Sequence, residues 1–176
     1  MATHESVSLR LPRPDDEVIV SLAQAELATE SFQFVFQGPN EPWTAYVEQV
    51  LRHSQGVDLS PGRVPATFLF AEVNGEVVGR VSIRHELNDY LERFGGHIGY
   101  AVRPAYRRRG YATAILRQSL EIAHALGLKR VLLICDDSNT ASIRTIESCH
   151  GVLERLDTSS EGRPSRRYWI ELGQAT

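Results

Sequence analysis

Two strand-like runs joined by Asn74-Gly75 restrict this chain more than any other feature. Thr67 to Val73 is a short apolar run, and a second run from Val77 to Arg84 follows almost at once. Asn-Gly readily adopts the positive backbone angles of a two-residue hairpin turn, so the pair is expected to fold back as antiparallel strands. In the returning strand, Val77, Gly79, Val81 and Ile83 alternate with Val78, Arg80, Ser82 and Arg84. This period of two predicts one wetter face beyond its first residues. After the turn-forming Gly95-Gly96, a further strand is expected at about His97 to Val102, with the polar stretch His85 to Phe94 as a loop or short helix over one end of the sheet.

Helical periodicity appears on both sides of these strands. From Tyr111 to Leu126, residues Ala112, Ile115, Leu116, Ser119, Leu120 and Ala123 fall on one stripe, and Gly127 can close the helix. Lys129 to Cys135 reads as a buried strand because its centre is continuously apolar. Asp136-Asp137-Ser138-Asn139 caps a shorter helix running to about Cys149 with Gly151 as its stop, and Tyr168 to Leu172 is a final strand. Upstream, Val7 to Leu11 is a candidate strand, followed by helices at about Glu17 to Ala28 and Trp43 to His53, the latter with Val47, Val50 and Leu51 on one side. A glycine- and proline-marked loop from Gln55 to Pro65 separates this front section, residues 1–65, from the sheet. The order implies an α/β (α+β) fold, a mixed sheet with helices on both faces.

With 176 residues, the chain suits a single domain, 1–176. Its formal charge of −3 and pI near 6.1 argue against a nucleic-acid partner. Cys135 and Cys149 are too few for a disulfide framework, and the opening Met-Ala-Thr-His-Glu lacks the regions of a signal peptide. No apolar stretch approaches the roughly 20 residues that cross a bilayer. The expectation is a soluble, cytoplasmic protein without a membrane partner.

Chemistry is concentrated in Gly99-Tyr100-Ala101-Val102-Arg103-Pro104-Ala105-Tyr106-Arg107-Arg108-Arg109-Gly110-Tyr111-Ala112. Here a strand leads through a proline turn and three arginines into a helix N-terminus, where unpaired amides and the helix dipole favour an anion. This is a candidate pyrophosphate cradle, in which Gly110 lets the backbone approach phosphate and the small Ala112 avoids crowding the first turn. The lysine of a Walker A loop is absent and no Gly-x-Gly-x-x-Gly follows a strand, so nucleoside triphosphate and dinucleotide folds fit poorly.

Arg107 to Ala112 resembles the R/Q-x-x-G-x-G/A signature of GNAT-superfamily acyltransferases, and Val102-Arg103-Pro104 resembles the V-x-P that precedes it. Asn139, Ser142 and Ile143 are similar to the N-x-x-A/S-I pattern that opens the next family helix, and the resemblance spans about Thr67 to Leu172. It implies a mostly antiparallel central sheet, an acyl-CoA-binding core at 67–172, and acetyl-CoA as cosubstrate in a gap between the strands ending near Val102 and Cys135. It also implies pantetheine contacts from backbone near Ala101 and Val102, where an N–H would stabilise the oxyanion formed as an amine attacks the thioester. Pyrophosphate contacts are implied from amides of Arg108, Arg109, Gly110, Tyr111, Ala112 and Thr113, a phosphate partner in Arg107 or Arg109, and a pantetheine hydrogen bond from Asn139.

The acceptor amine must lose a proton, and His97 and Glu86 are the candidate bases. Many family members carry a tyrosine that protonates the departing thiolate. Ile146 stands at that position, so an acid is dispensable here, or Ser142 or water serves. Cys149 is expected to be a buried structural thiol, and no metal site is expected. The implied activity is acetyl transfer to a primary amine on a small molecule or peptide. A non-catalytic acyl-CoA sensor is the alternative, and a homodimer is left open. Glu86, Asp89 and Glu92 would favour a cationic acceptor if they faced the pocket, and otherwise form a solvated face.

Overall fold

The computed structural model describes residues 6–173, so the Met1–Glu5 segment read above for a signal peptide lies outside the described residues. The chain runs β1 (Ser8–Arg10), α1 (Glu17–Ala28), α2 (Trp43–Ser54), β2 (Ala66–Val73), β3 (Glu76–Arg84), β4 (Ile98–Val102), α3 (Tyr111–Ala125), β5 (Arg130–Asp136), α4 (Thr140–Ser148), β6 (Val152–Thr158) and β7 (Pro164–Glu171). A π-helical turn, Leu91–Gly95, lies in the polar stretch before β4. No helix among the described residues is long and apolar enough to cross a membrane.

The strands form two antiparallel sheets, β1-β2-β3-β4 and β5-β7-β6. They touch where β4 and β5 begin. The His97 amide donates to Leu132 O at 2.7 Å, while the His97 carbonyl turns the other way and accepts from Arg84 N–H of β3. Gly96 is required at this junction, because it has φ +65° and an added Cβ would lie 2.6 Å from Leu132 O. Beyond this contact the sheets diverge, and the gap between β4 and β5 is where the site forms.

Asn74 and Gly75 have φ of 52° and 83°, both in the positive region that the expected hairpin turn demands. The wetter face expected for β3 is absent. The ladder between β2 and β3 shifts at Ala71/Glu72, leaving Val78 as an extra residue and reversing which side chains face inward. Arg80 and Ser82 are consequently buried, on a face covered by α1, α2 and the aromatics Phe34, Trp43, Tyr46, Phe68 and Phe70. The opposite face, with Leu69, Val81, Ile83 and Ile98, packs on α3 through Ile115, Leu116 and Ala123.

Three local expectations require revision. Helix α2 buries Trp43, Tyr46 and Val50, whereas Leu51 is 48% exposed, because the anchoring stripe begins at Trp43 and leaves Leu51 outside it. Helix α4 stops at Ser148, and the left-handed residue beyond its end is His150 (φ +65°), not Gly151; Gly151 is instead needed because a Cβ there would meet Ile146 at 2.4 Å. Strand β6 was not anticipated, and β7 begins at Pro164 instead of Tyr168. Most of β6 is exposed, so its sequence lacks the apolar alternation of a half-buried strand.

Candidate active site

The V-x-P turn places Arg103 and Arg107 beside the C-terminal end of α1. Arg103 is buried and forms a bidentate pair with Glu26 at 2.9 and 2.7 Å. Four residues later, in the turn that follows α1, Glu30 receives Arg107 through both terminal nitrogens at 2.7 and 2.8 Å. Each arginine holds its carboxyl below the ordinary glutamate range by hydrogen bonding. Two carboxylates at i and i+4 thus fasten the arginine loop to the front section.

The loop then turns through left-handed conformations at Arg108 (φ +63°) and Gly110 (φ +81°) into α3. An added Cβ at Gly110 would meet nothing within 4 Å, so its conformation, not a protein neighbour, demands glycine, and the side that a Cβ would occupy is open to a ligand. No side chain caps this helix, and Ala114 donates to Gly110 O in its first turn. The amides ahead of it belong to the set that an α-helix cannot satisfy internally.

A cavity of about 540 Å³ begins at this turn. It is lined by Tyr100, Ala101 and Val102 of β4, by Arg107, Arg108 and Gly110, by Tyr111, Ala112 and Thr113 of α3, by Asn139, Ser142 and Thr145, and by Leu27, Glu30 and Phe32 from the front section. Segments separated by more than a hundred residues of sequence therefore converge on one groove. Asn139 caps α4, its Oδ1 accepting from Ser142 N–H at 3.1 Å, which leaves its amide group as a donor.

Antiparallel pairing settles which backbone groups of β4 face the groove. Arg84 N–H bonds to His97 O and Arg103 N–H to Val78 O, so odd-numbered residues of this segment pair with β3. The amides of Tyr100 and Val102 point the other way, into the gap between the sheets. Ala101 lines the groove but directs its amide to β3, so the amides that face the gap beside it are those of Tyr100 and Val102.

Four site expectations change with the geometry. Arg107 lines the groove, but in this structure its terminal nitrogens pair with Glu30 and its Nε donates to Val102 O, so the fork faces a carboxylate across an exposed ion pair. Arg109 does not line the groove; its guanidinium lies 5.7 Å over the Tyr106 ring. Glu86 is exposed in the bend after β3 and lines neither major cavity. His97 is 6% exposed, and its Nδ1 accepts the Leu132 N–H at 2.9 Å, replacing a backbone acceptor where the sheets part. Burial, with Arg84 nearby, pushes its pKa down to about 4. A neutral ring whose Nδ1 lone pair is occupied carries its proton on Nε2, and it has no free lone pair with which to act as a base.

Sequence reasoning missed Tyr100. Its hydroxyl is buried beside the Ser142 and Thr145 hydroxyls yet meets neither in hydrogen-bonding geometry, and burial raises its pKa to about 12. It also missed a second cavity of about 570 Å³ between α2, the loop 55–65, β3 and the π-helical turn, lined by Phe36, Glu41, Tyr46, His53, Arg63, Phe68, Ser82, Arg84 and Tyr90 among others. His53 Nε2 is buried there without a partner. The aromatic spacing at Phe32, Phe34 and Phe36 was the available signal for a walled pocket. The Arg80 guanidinium stands on the partition, 4.7 Å from the Phe32 ring of the first cavity and 5.1 Å from the Phe36 ring of the second.

The acetyltransferase (GNAT) family model matches residues 24–152. An acetyltransferase of Yersinia pestis (strain Pestoides F) is 32% identical over 101 residues, 55% of this chain and 60% of that protein, so the match spans less than two thirds of the relative's length. Among solved structures, the microcin C7 self-immunity acetyltransferase MccE, in complex with acetyl-CoA and AMP, aligns with TM-score 0.69 at 18% identity, covering 96% of this chain and 93% of that one. A Salmonella typhimurium acetyltransferase described as modifying the N-terminal serine of ribosomal protein L7/L12 aligns with TM-score 0.69 at 15% identity, covering 96% of each chain. At these identities the structural matches speak for the fold, which agrees with the expected antiparallel sheets and flanking helices.

Proposed function

The chain belongs to the GNAT acetyltransferase family, and from this premise we propose that it transfers an acetyl group from acetyl-CoA to a primary amine in a ternary complex. The observation that carries the reading is the groove that joins the glycine turn at Gly110, the outward amides of Tyr100 and Val102, and the Asn139 cap. A diphosphate fits the α3 N-terminus, where backbone N–H groups and the helix dipole favour negative charge without a side-chain cap. Arg108 supplies a side-chain cation at that end, and the Asn139 amide a donor at the other.

Acetyl-CoA supplies an activated acyl group. The amine nitrogen attacks the acetyl carbon, the N–C bond forms, the C–S bond breaks, and its electron pair leaves on sulfur. The Tyr100 or Val102 amide faces the gap where the carbonyl oxygen gains charge and would stabilise it. Tyr100 retains its proton to about 12, whereas an ordinary thiol ionises near 8.5. It therefore stabilises the departing thiolate by donating a hydrogen bond, and solvent supplies the final proton. The amine enters from the second cavity, whose walls come largely from the front section; the whole chain thus acts as one unit, with the core holding cosubstrate and residues 1–65 shaping the acceptor side. The proton lost by the amine passes to His53, the imidazole lining that cavity with a buried, unpartnered nitrogen.

Thermal unfolding with acetyl-CoA, ATP and NAD at equal concentrations tests the reading. Acetyl-CoA should raise the midpoint while the other two leave it unchanged, and Gly110→Trp should remove the shift. Equal stabilisation by ATP would contradict it.

A further inference from the structure

Three arginines are gathered at the acceptor-side cavity with no acid assigned to them. Arg84 reaches it from β3, donating from Nη1 only to the neutral carbonyls of Gly95 and Gly96, at 3.2 and 3.3 Å. Arg63 reaches it from the loop 55–65, its guanidinium 5.9 Å over Phe36. Behind them, Arg80 donates to Gly99 O and Gln33 O, and its Nε has no partner.

Elsewhere the fold treats its buried arginines differently. Among the described residues three are fully buried, and two of them meet carboxylates: Arg103 with Glu26 and Arg167 with Glu154. Arg80, 4% exposed, is the exception, and neither Arg63 nor Arg84 forms an ion pair among the described residues. Glu41 is the single carboxylate lining the cavity, and its Oε2 already accepts the Gly38 N–H at 2.8 Å. Burial, with Arg84 nearby, pushes the Arg80 guanidinium down to about 9, and burial, with Arg63 nearby, lowers that of Arg84. Burying Arg80 and half-burying Arg84 without counter-charge is costly, and an anionic ligand held between Arg84 and the exposed Arg63 would relieve that cost. The acids expected to give a cationic preference do not offset this, since Glu86, Asp89 and Glu92 are exposed and absent from the cavity wall.

We propose that the acceptor is a small amine that also carries an oxoanion group, a carboxylate or a phosphate, bound by Arg63 and Arg84 in the acceptor-side cavity. A volume of about 570 Å³ is in the range of small-molecule sites, and guanidinium forks suit either oxoanion. The identity of the substrate class rests on the acetyl-transfer reading; the anion site itself does not.

The test compares 4-aminobutyrate and 2-aminoethyl phosphate with two controls, butylamine and 1,4-diaminobutane. Each is titrated calorimetrically into the CoA-bound protein and assayed for acetylation with acetyl-CoA. One or both oxoanion amines should bind and react at least tenfold better than both controls, the two arms separating carboxylate from phosphate. Arg63→Glu, on an exposed loop, should invert the order in favour of the diamine, and Arg84→Gln should reduce the preference if the variant folds. Equal or better binding of butylamine or the diamine overturns the inference, as does an Arg63→Glu variant that weakens all four amines alike. Acetylation without charge preference would leave acetyl transfer standing and remove this proposal; Arg63-dependent preference in binding, with no acetylation of either oxoanion amine, would leave the anion site standing and overturn its assignment to the acceptor.

Discussion

Replacing His97 with alanine separates a sheet-joining role from a catalytic one. In the native fold its Nδ1 satisfies the buried Leu132 N–H at the point where β4 and β5 part, and its ring packs edgewise on Trp169. Orphaning a buried donor costs about 1–3 kcal/mol and the lost ring contacts add to it, so the variant should be about 2–4 kcal/mol less stable near neutral pH. For a chain of this length that corresponds to a midpoint lowered by about 5–15 °C. The pH dependence carries a second signature. The folded-state pKa is depressed from 6.5 to about 4. Between these values the unfolded chain binds more protons than the folded one, so His97 contributes stability that is full above pH 6.5 and lost as pH falls through 4. The shift is equivalent to about 3 kcal/mol in wild type, and alanine has no such dependence. Urea unfolding of both proteins from pH 7.5 to 4 should therefore show the gap between them narrowing as pH falls. Turnover measured well below the variant's midpoint should fall far less than the about 10²-fold expected for loss of a general base. A variant of wild-type stability with turnover reduced that far would refute the reasoning and return His97 to the mechanism.

Tyr100→Phe should lower kcat by about 10- to 100-fold, the worth of one hydrogen bond to a charged leaving group, with acetyl-CoA affinity preserved. Because the Tyr100 hydroxyl has no hydrogen-bond partner in the fold, the melting temperature should not drop; an unchanged kcat would exclude its role at the thiolate. His53→Gln should lower turnover by about 10²-fold at neutral pH, and the deficit should shrink at high pH as more of the amine arrives neutral. A deficit independent of pH would point to packing.

Local signals carried most of the fold because they are local in cause. The Asn74-Gly75 turn, the stripe of α3 and the Asn139 cap each depend on neighbours within a few residues, and each appears where the sequence implies it. Failures came where distant segments decide. The extra residue at Val78 comes from pairing with β2, and it turns Arg80 and Ser82 under the front helices; no pattern within β3 announces this. Arg107 reads as a free phosphate ligand, whereas in the fold its guanidinium faces Glu30, 77 residues away. His97 is in the segment expected, but its partner Leu132 lies on another strand. The cavity beside Arg63 and Arg84 is formed between a loop, a helix and a sheet face, and its charge follows from which of nineteen basic residues lack acids.

The central claim is that the groove from Gly110 to Asn139 presents acetyl-CoA to an amine for transfer, and the most direct measurement is stoichiometric. The protein is incubated with acetyl-CoA and the amine panel, and free thiol and acetylated amine are quantified together. The account predicts equal amounts of both with at least one amine, and neither above background for Gly110→Trp. Stabilisation by acetyl-CoA, with no thiol released in the presence of any amine, would contradict it and identify the chain as an acyl-CoA-binding domain that does not turn its ligand over.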